Sequence, residues 1–158
     1  MPAPIVAPYA TRPGMEEGPA AVAAELPAAD PVVVPFDASR PHEDALLDGL
    51  PALAAAVAAD DSRMPFALLG ECTLAPAVTG GLRRRHPGVA LVWIDAHGDL
   101  NTPETSPSGF LGGMPVAVAL GWCHDALRLA SNGTTTGSAA GSSAATAAGP
   151  SSMPGLVA

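Results

Sequence analysis

The chain has 158 residues, room for one domain, with 48% apolar residues to fill a core but only 4% aromatics, so alanine carries much of the packing. Its 7 basic residues, all arginine, face 15 acids for a formal charge of −8. That balance excludes nucleic acid and anionic lipid as partners, since both need clustered Lys and Arg, and the one basic cluster, Arg83–Arg85 beside His86, reads as the polar end of a helix.

Taken in chain order, Ile5–Ala7 and Pro31–Val34 are β-branched runs bounded by proline and predict short strands. Between them Gly18–Leu26 predicts a helix with Pro19 in its first turn, where a missing N–H does no harm. His42–Ala59 predicts a second helix, with Leu46, Leu47, Leu50, Leu53 and Val57 spaced by three and four; Pro51 predicts a kink or two pieces. Pro65–Leu69 is a short apolar strand ended by Gly70, followed by a helix from about Thr73 to His86 that Pro87-Gly88 stops. Val89–Ile94 gives the strongest strand signal in the sequence and runs directly into Asp95-Ala96-His97-Gly98-Asp99. A loop rich in Thr, Pro, Ser and Gly leads to a helix over 113–120, after which His124 and Asp125 read as a solvated helix end. The alternation predicts an α/β fold with a mostly parallel sheet. From residue 131 the sequence is nearly all Ser, Thr, Gly and Ala without apolar periodicity, so the expected division is a folded part over 1–127 and a disordered tail over 128–158.

Cys72 and Cys123 lie far apart and in no CxxC pair, which argues against a disulfide framework and a four-ligand structural zinc. No segment reaches the roughly 18 apolar residues needed to span a bilayer, and Met1-Pro2-Ala3-Pro4 lacks the features of a secretory signal. A cytoplasmic location is the expectation.

The informative stretch is Asp95–Asp99, two carboxylates and an imidazole within five residues of a strand's carboxyl end, the edge where α/β sheets usually bind ligands. If the segment is extended, alternate residues point to one side, so Asp95, His97 and Asp99 converge. Carboxylate oxygens with one imidazole suit Mn²⁺, Mg²⁺ or Fe²⁺, and a carboxylate can bridge two ions that together activate one water. Glu71, on the turn beside Cys72, is placed to orient such a site from behind its ligands.

The stretch Trp93-Ile94-Asp95-Ala96-His97-Gly98-Asp99-Leu100-Asn101-Thr102-Pro103 closely resembles the ureohydrolases: arginase, agmatinase and formiminoglutamase. Leu69-Gly70-Glu71-Cys72-Thr73 sits where that family usually has Gly-Gly-Asp-His-Ser; Met15-Glu16-Glu17-Gly18-Pro19 is similar to its early Gly-Pro entry into a helix, and the likeness continues through Ser106–Gly109 to Leu111–Pro115. It covers residues 1 to about 121. The resemblance implies a three-layer α-β-α fold, a binuclear Mn²⁺ cofactor, and hydrolysis of linear amidine or guanidino C–N bonds of a small substrate. It further implies that Asp95 bridges the ions, that His97 binds one, and that Asp99 both contacts metal and orients the nucleophile. Cys72 takes the position of a metal ligand, Asn101 and Ser108 those that hold the substrate's amino-acid end, and homo-oligomers are usual.

Three departures qualify this. Cys72 stands where the family usually has a histidine ligand, and a thiolate there favours Zn²⁺ or Fe²⁺ over Mn²⁺. Gly112 occupies the place of a histidine thought to shuttle protons. The family's second metal motif, Ser-x-Asp-x-Asp, is absent: after Asp99 the only aspartate is Asp125. The compositional shift near Ala130 reads as truncation or a change of reading frame, and the alternative function is a truncated, non-catalytic family member with at most one weak metal site, or the partner of a complete homologue.

Overall fold

Short apolar runs interrupted by proline can build only short strands, and the sheet is correspondingly small. The computed structural model describes residues 2–27 and 30–134. In it β1 (Ile5–Ala7) pairs in parallel with β2 (Val32–Val33) on one side and with β3 (Ala67–Leu69) on the other. Ile5 lies opposite Val32 and Ala67, and Val6 opposite Val33 and Leu68. The order β2-β1-β3 puts β1 in the middle, and all three of its residues are buried, as a parallel strand covered on both faces requires.

Five helices accompany the sheet among the described residues: α1 (Glu17–Ala24), α2 (His42–Ala59), α3 (Ala75–Arg85), α4 (Pro115–Leu120) and α5 (Asp125–Ser131). Short 3₁₀ turns at Cys72–Leu74 and Leu111–Gly113 lead into α3 and α4. The parallel α/β fold is as expected. α2 runs through Pro51 as one helix of 18 residues and is not split in two. The reason lies in its apolar face: Leu46, Leu50, Leu53 and Val57 are each at most 1% exposed, and that burial offsets the one backbone bond the proline removes. They form the centre of a core completed by Ile5, Ala7 and Tyr9, by Leu74 and Ala77, and by Val118, Leu127 and Ala130. α3 comes so close to α2 that a Cβ on Gly81 would lie 2.5 Å from the Ala54 carbonyl oxygen and 2.7 Å from the Val57 Cβ. Only glycine allows that approach.

Three expectations meet a different outcome. Val89–Ile94 is not a strand: it has no ladder partner among the described residues, and Leu91, Val92 and Ile94 are exposed, Ile94 at 91%. A run rich in β-branched residues makes a strand only where neighbours supply hydrogen bonds and cover. Here β2 and β3 form the two edges, and neither is hydrogen-bonded to it. The boundary expected between 127 and 128 falls inside α5, which buries Leu127, Ala130 and Ser131; residues 135–158 of the expected tail lie outside the described residues. His124 and Asp125 open α5, with His124 in the left-handed region at φ 48° just before its first turn.

The entry to α2 carries a local polar turn. The Asp37 carboxylate accepts hydrogen bonds from the Ser39 backbone N–H at 3.0 Å and hydroxyl at 2.6 Å. These bonds hold its carboxyl below the usual carboxylate range, helped slightly by Arg40. A carboxyl depressed in the folded state stabilises above its unfolded pKa and loses that contribution as pH falls through the folded value. Ser39→Ala is therefore expected to lower stability slightly at neutral pH, with the difference from wild type closing below the ordinary carboxylate range. Thermal melts of both proteins across an acid series check this.

Candidate metal centre

β3 ends at Leu69, and the chain turns at Gly70, whose N–H donates to the Ala7 carbonyl at 3.1 Å. A Cβ on Gly70 would overlap the Tyr9 carbonyl oxygen, so the turn after β3 rests directly on the backbone leaving β1. Glu71 fastens the two loops together. Its carboxylate accepts from the Thr11 backbone N–H at 2.7 Å, from the Thr11 hydroxyl at 3.0 Å, and from the Thr73 hydroxyl. His42, at the start of α2, brings Nε2 to 3.4 Å from the same carboxylate, while its Nδ1 is hydrogen-bonded to the Tyr9 hydroxyl at 2.8 Å. Three segments remote in sequence thus fix the turn that presents Cys72. The sequence gives Glu71 a supporting place and His42 the start of α2, but not their pairing with each other or with Tyr9 and Thr11. Their partners lie 33 and 60 positions away, and no local spacing reveals that.

The loop after Ile94 supplies the other donors. The Cys72 thiol donates to Asp95 Oδ2 at 3.7 Å, and single donor atoms of Cys72, Asp95 and Asp99 all lie within 4.8 Å of one another. This is the one such group of three found among the described residues. Asp99 takes a left-handed backbone, φ 49°, which aspartate tolerates better than most residues. Its carbonyl oxygen accepts from the Val116 N–H at 3.0 Å and the Ala117 N–H at 3.3 Å, docking the loop on the first turn of α4. The residue is only 7% exposed, and its Oδ2 has no hydrogen-bond partner.

Such a carboxylate is costly to bury unpaired. Burial and the neighbouring Asp95 push the Asp99 carboxyl above the usual carboxylate range. Burial first, then the charges of Asp99 and Asp95, push the Cys72 thiol up. Asp99 and Cys72 thus both resist carrying negative charge here, and a cation among the donors would reverse that.

His97 stands apart. Its side chain is 83% exposed, with Nδ1 3.9 Å from Asp95 Oδ1 and outside the convergent group. The segment bends at 95–97, where the His97 N–H donates to Asp95 Oδ1 at 3.3 Å, so the alternation of an extended chain does not apply. Asn101 is exposed; its N–H donates to the Gly113 carbonyl at 3.1 Å and its Oδ1 accepts from Thr105 at 3.3 Å, on the wall of an open cleft of about 770 Å³ shared with Asp99 and Arg12. Ser108 accepts from the Phe110 N–H at 3.2 Å and lines neither this cleft nor the next. The three donors themselves open into a cleft of about 240 Å³, walled by Thr11, Arg12, Phe110 and Gly112. The Phe110 ring lies over Gly112, where a Cβ would come within 2.5 Å of it. A larger residue at 112 would have to displace the ring.

A parallel sheet with a thiol on the turn after β3, met by two carboxylates from the loop 95–99, defines an α/β protein with a metal-type donor cluster. The sequence profile of the arginase family matches residues 2–149, and the chain belongs to that family. It is similar to the arginase of Bacillus subtilis (strain 168), 43% identical over 68 residues that make up 43% of this chain and 23% of that protein. The arginase of Bacillus caldovelox is 45% identical over 65 residues, 41% of this chain and 22% of that one. In structure, the Bacillus caldovelox arginase superposes with a TM-score of 0.69 at 31% identity, over 85% of this chain and 53% of that one. A Bacillus subtilis arginase superposes at 0.70 and 29% identity, over 82% and 51%. The chain therefore spans about half the length of the solved arginases it matches. No described helix is long and apolar enough to cross a membrane.

Proposed function

We propose that the chain serves metal-dependent hydrolysis of the C–N bond of a small linear guanidino or amidine substrate, the arginase-type reaction, with Mn²⁺ the family's metal. The observation that carries this reading is the convergence of Asp95 and Asp99 with Cys72 beneath an open cleft at the carboxyl edge of the sheet. The donor set suits one divalent cation: two carboxylates and a thiol gather, and the buried Asp99 Oδ2 lacks any other partner. When bound, a divalent cation supplies Lewis acidity and a nucleophile from water near neutral pH. Asp99 does double duty in this reading: one carboxylate oxygen would meet the cation, and the other can accept a hydrogen bond from the attacking water and aim it. Glu71, tied to Thr11 and Thr73, holds Cys72 in register with Asp95. Arg12 and Phe110 confine the entering substrate. Gly112 offers no side chain to pass a proton to the departing amine, so that proton comes from solvent.

The test is release of urea or an amine by purified protein with Mn²⁺, compared with a variant carrying Asp95→Ala and Asp99→Ala. Activity at least about 100-fold above that variant is expected, the size of effect one acid–base group commonly contributes. Equal activity in the two proteins sinks the reading.

A second reading, a non-catalytic chain with one metal site, is favoured by His97: its exposed imidazole lies on the cleft wall outside the donor group, and no second set of three donors gathers among the described residues. The activity comparison above separates the two readings, and metal analysis of the folded protein adds a second check. Two ions per chain overturn the second.

A further inference from the structure

We infer that the site is built for a single thiophilic cation, Zn²⁺ or Co²⁺, bound through the sulfur of Cys72 with the carboxylates of Asp95 and Asp99, in preference to Mn²⁺. This rests on the reading above that Asp95 and Asp99 hold a metal, and it concerns which metal and how many.

The spacing of the donors is the first argument. Tetrahedral zinc with Zn–S of about 2.3 Å and Zn–O of about 2.1 Å places sulfur and oxygen ligands about 3.6 Å apart. Cys72 Sγ and Asp95 Oδ2 are 3.7 Å apart. The pair already has the separation of two ligands on one small tetrahedral ion. Asp99 is the third donor, more than nine-tenths buried, with Oδ2 unpartnered and the carboxylate within the same group. A buried oxygen without a hydrogen-bond partner in an otherwise bonded loop is available to serve as a ligand.

Ligand softness is the second argument. Thiolate prefers zinc and cobalt, whereas manganese prefers carboxylate, carbonyl and water, and gains least from exchanging nitrogen for sulfur. His97, the imidazole that would broaden the donor set toward a second ion, is 83% exposed and outside the group. Three protein donors with an open face toward the cleft match the arrangement in which zinc keeps its fourth position for water or substrate. On binding, the Cys72 S–H bond breaks, its proton goes to the buffer, and the sulfur lone pair goes to the cation; nothing is oxidised or reduced.

The experiment loads the full chain, reduced and stripped by chelator, with Co²⁺ alone, then titrates in Zn²⁺ or Mn²⁺. The expected result is one cobalt per chain with a near-ultraviolet thiolate-to-cobalt charge-transfer band. Zinc removes the band and equimolar manganese does not. Cys72→Ser is expected to abolish the band and weaken zinc about tenfold or more, while Cys123→Ser leaves both unchanged. Cys72→His is expected to bind cobalt without the band and to narrow the preference for zinc over manganese. It also covers the case in which the serine variant fails to fold, which far-ultraviolet circular dichroism reveals. Cobalt bound without the band, zinc affinity unchanged in Cys72→Ser, or a preference for two manganese ions overturns this inference and leaves the metal-binding reading standing. A folded chain that binds no divalent ion overturns both.

Discussion

Leu53→Ala is expected to lower the stability of the chain by about 2–5 kcal/mol, the range for emptying a fully enclosed leucine site. Leu53 is 0% exposed, and it stands on α2 in line with Leu46, Leu50 and Val57, which share its burial. The void could not be closed by an inward shift of α3, because Gly81 already brings that helix against the Ala54 carbonyl and Val57. Alanine is abundant elsewhere in the core, at Ala7, Ala45, Ala54, Ala77 and Ala130, so few large side chains are available to lean into the gap. A domain of this size has about 5–15 kcal/mol to lose, and a change in the upper half of the expected range would leave much of it unfolded at moderate temperature. Urea denaturation followed by circular dichroism measures the loss. A shift below about 1 kcal/mol would show that the helices can close the space after all.

Asp99→Ala is expected to reduce divalent-cation affinity by more than the roughly 10–100-fold that follows removal of an outer-sphere partner, because it takes away a donor itself. Asp99→Asn separates binding from folding. Asparagine keeps the shape and tolerates the left-handed backbone at φ 49°, but it removes the unpaired charge. In chelator-treated protein at neutral pH this variant is expected to be more stable than wild type, by about 1 kcal/mol, since a buried carboxylate oxygen without a partner is itself destabilising. The residue that matters most to the cation would then be the one that burdens the metal-free fold. Isothermal titration with zinc and urea melts in chelator check the two halves of this expectation. An asparagine variant that binds as tightly as wild type, or melts earlier without metal, would contradict it.

The elements most visible in the sequence are those whose stabilising contacts lie nearby in it. The spacing of Leu46, Leu50, Leu53 and Val57 predicts α2 with the bounds the structure shows, because a helix's hydrogen bonds are local and its buried face repeats every three or four residues. The strand signal of Val89–Ile94 was as strong and led elsewhere, since a strand's partners lie in other parts of the fold. At the candidate site, Asp95, Asp99 and Cys72 are legible in the sequence as candidate donors, yet the bend that leaves His97 outside their group is not. Alternation assumes an extended chain, and the bend at 95–97 breaks that assumption. The Tyr9–His42–Glu71–Thr11 connection is invisible for a similar reason: it joins two loops and the start of α2, which only the assembled sheet and helices bring together.

Gly70 gives this arrangement an unusual form of calibration. Where most clefts have their width set by side chains that can rotate aside, here two stretches of main chain touch, the one at Tyr9 and the one carrying Glu71 and Cys72. One methyl group at position 70 would act as a wedge, prising Thr11 off its acceptor and tilting the sulfur away from the aspartates in a single movement. The aperture over the donors is thus tuned by an absent atom, and the smallest possible enlargement of the chain there would detune fold and chemistry at once.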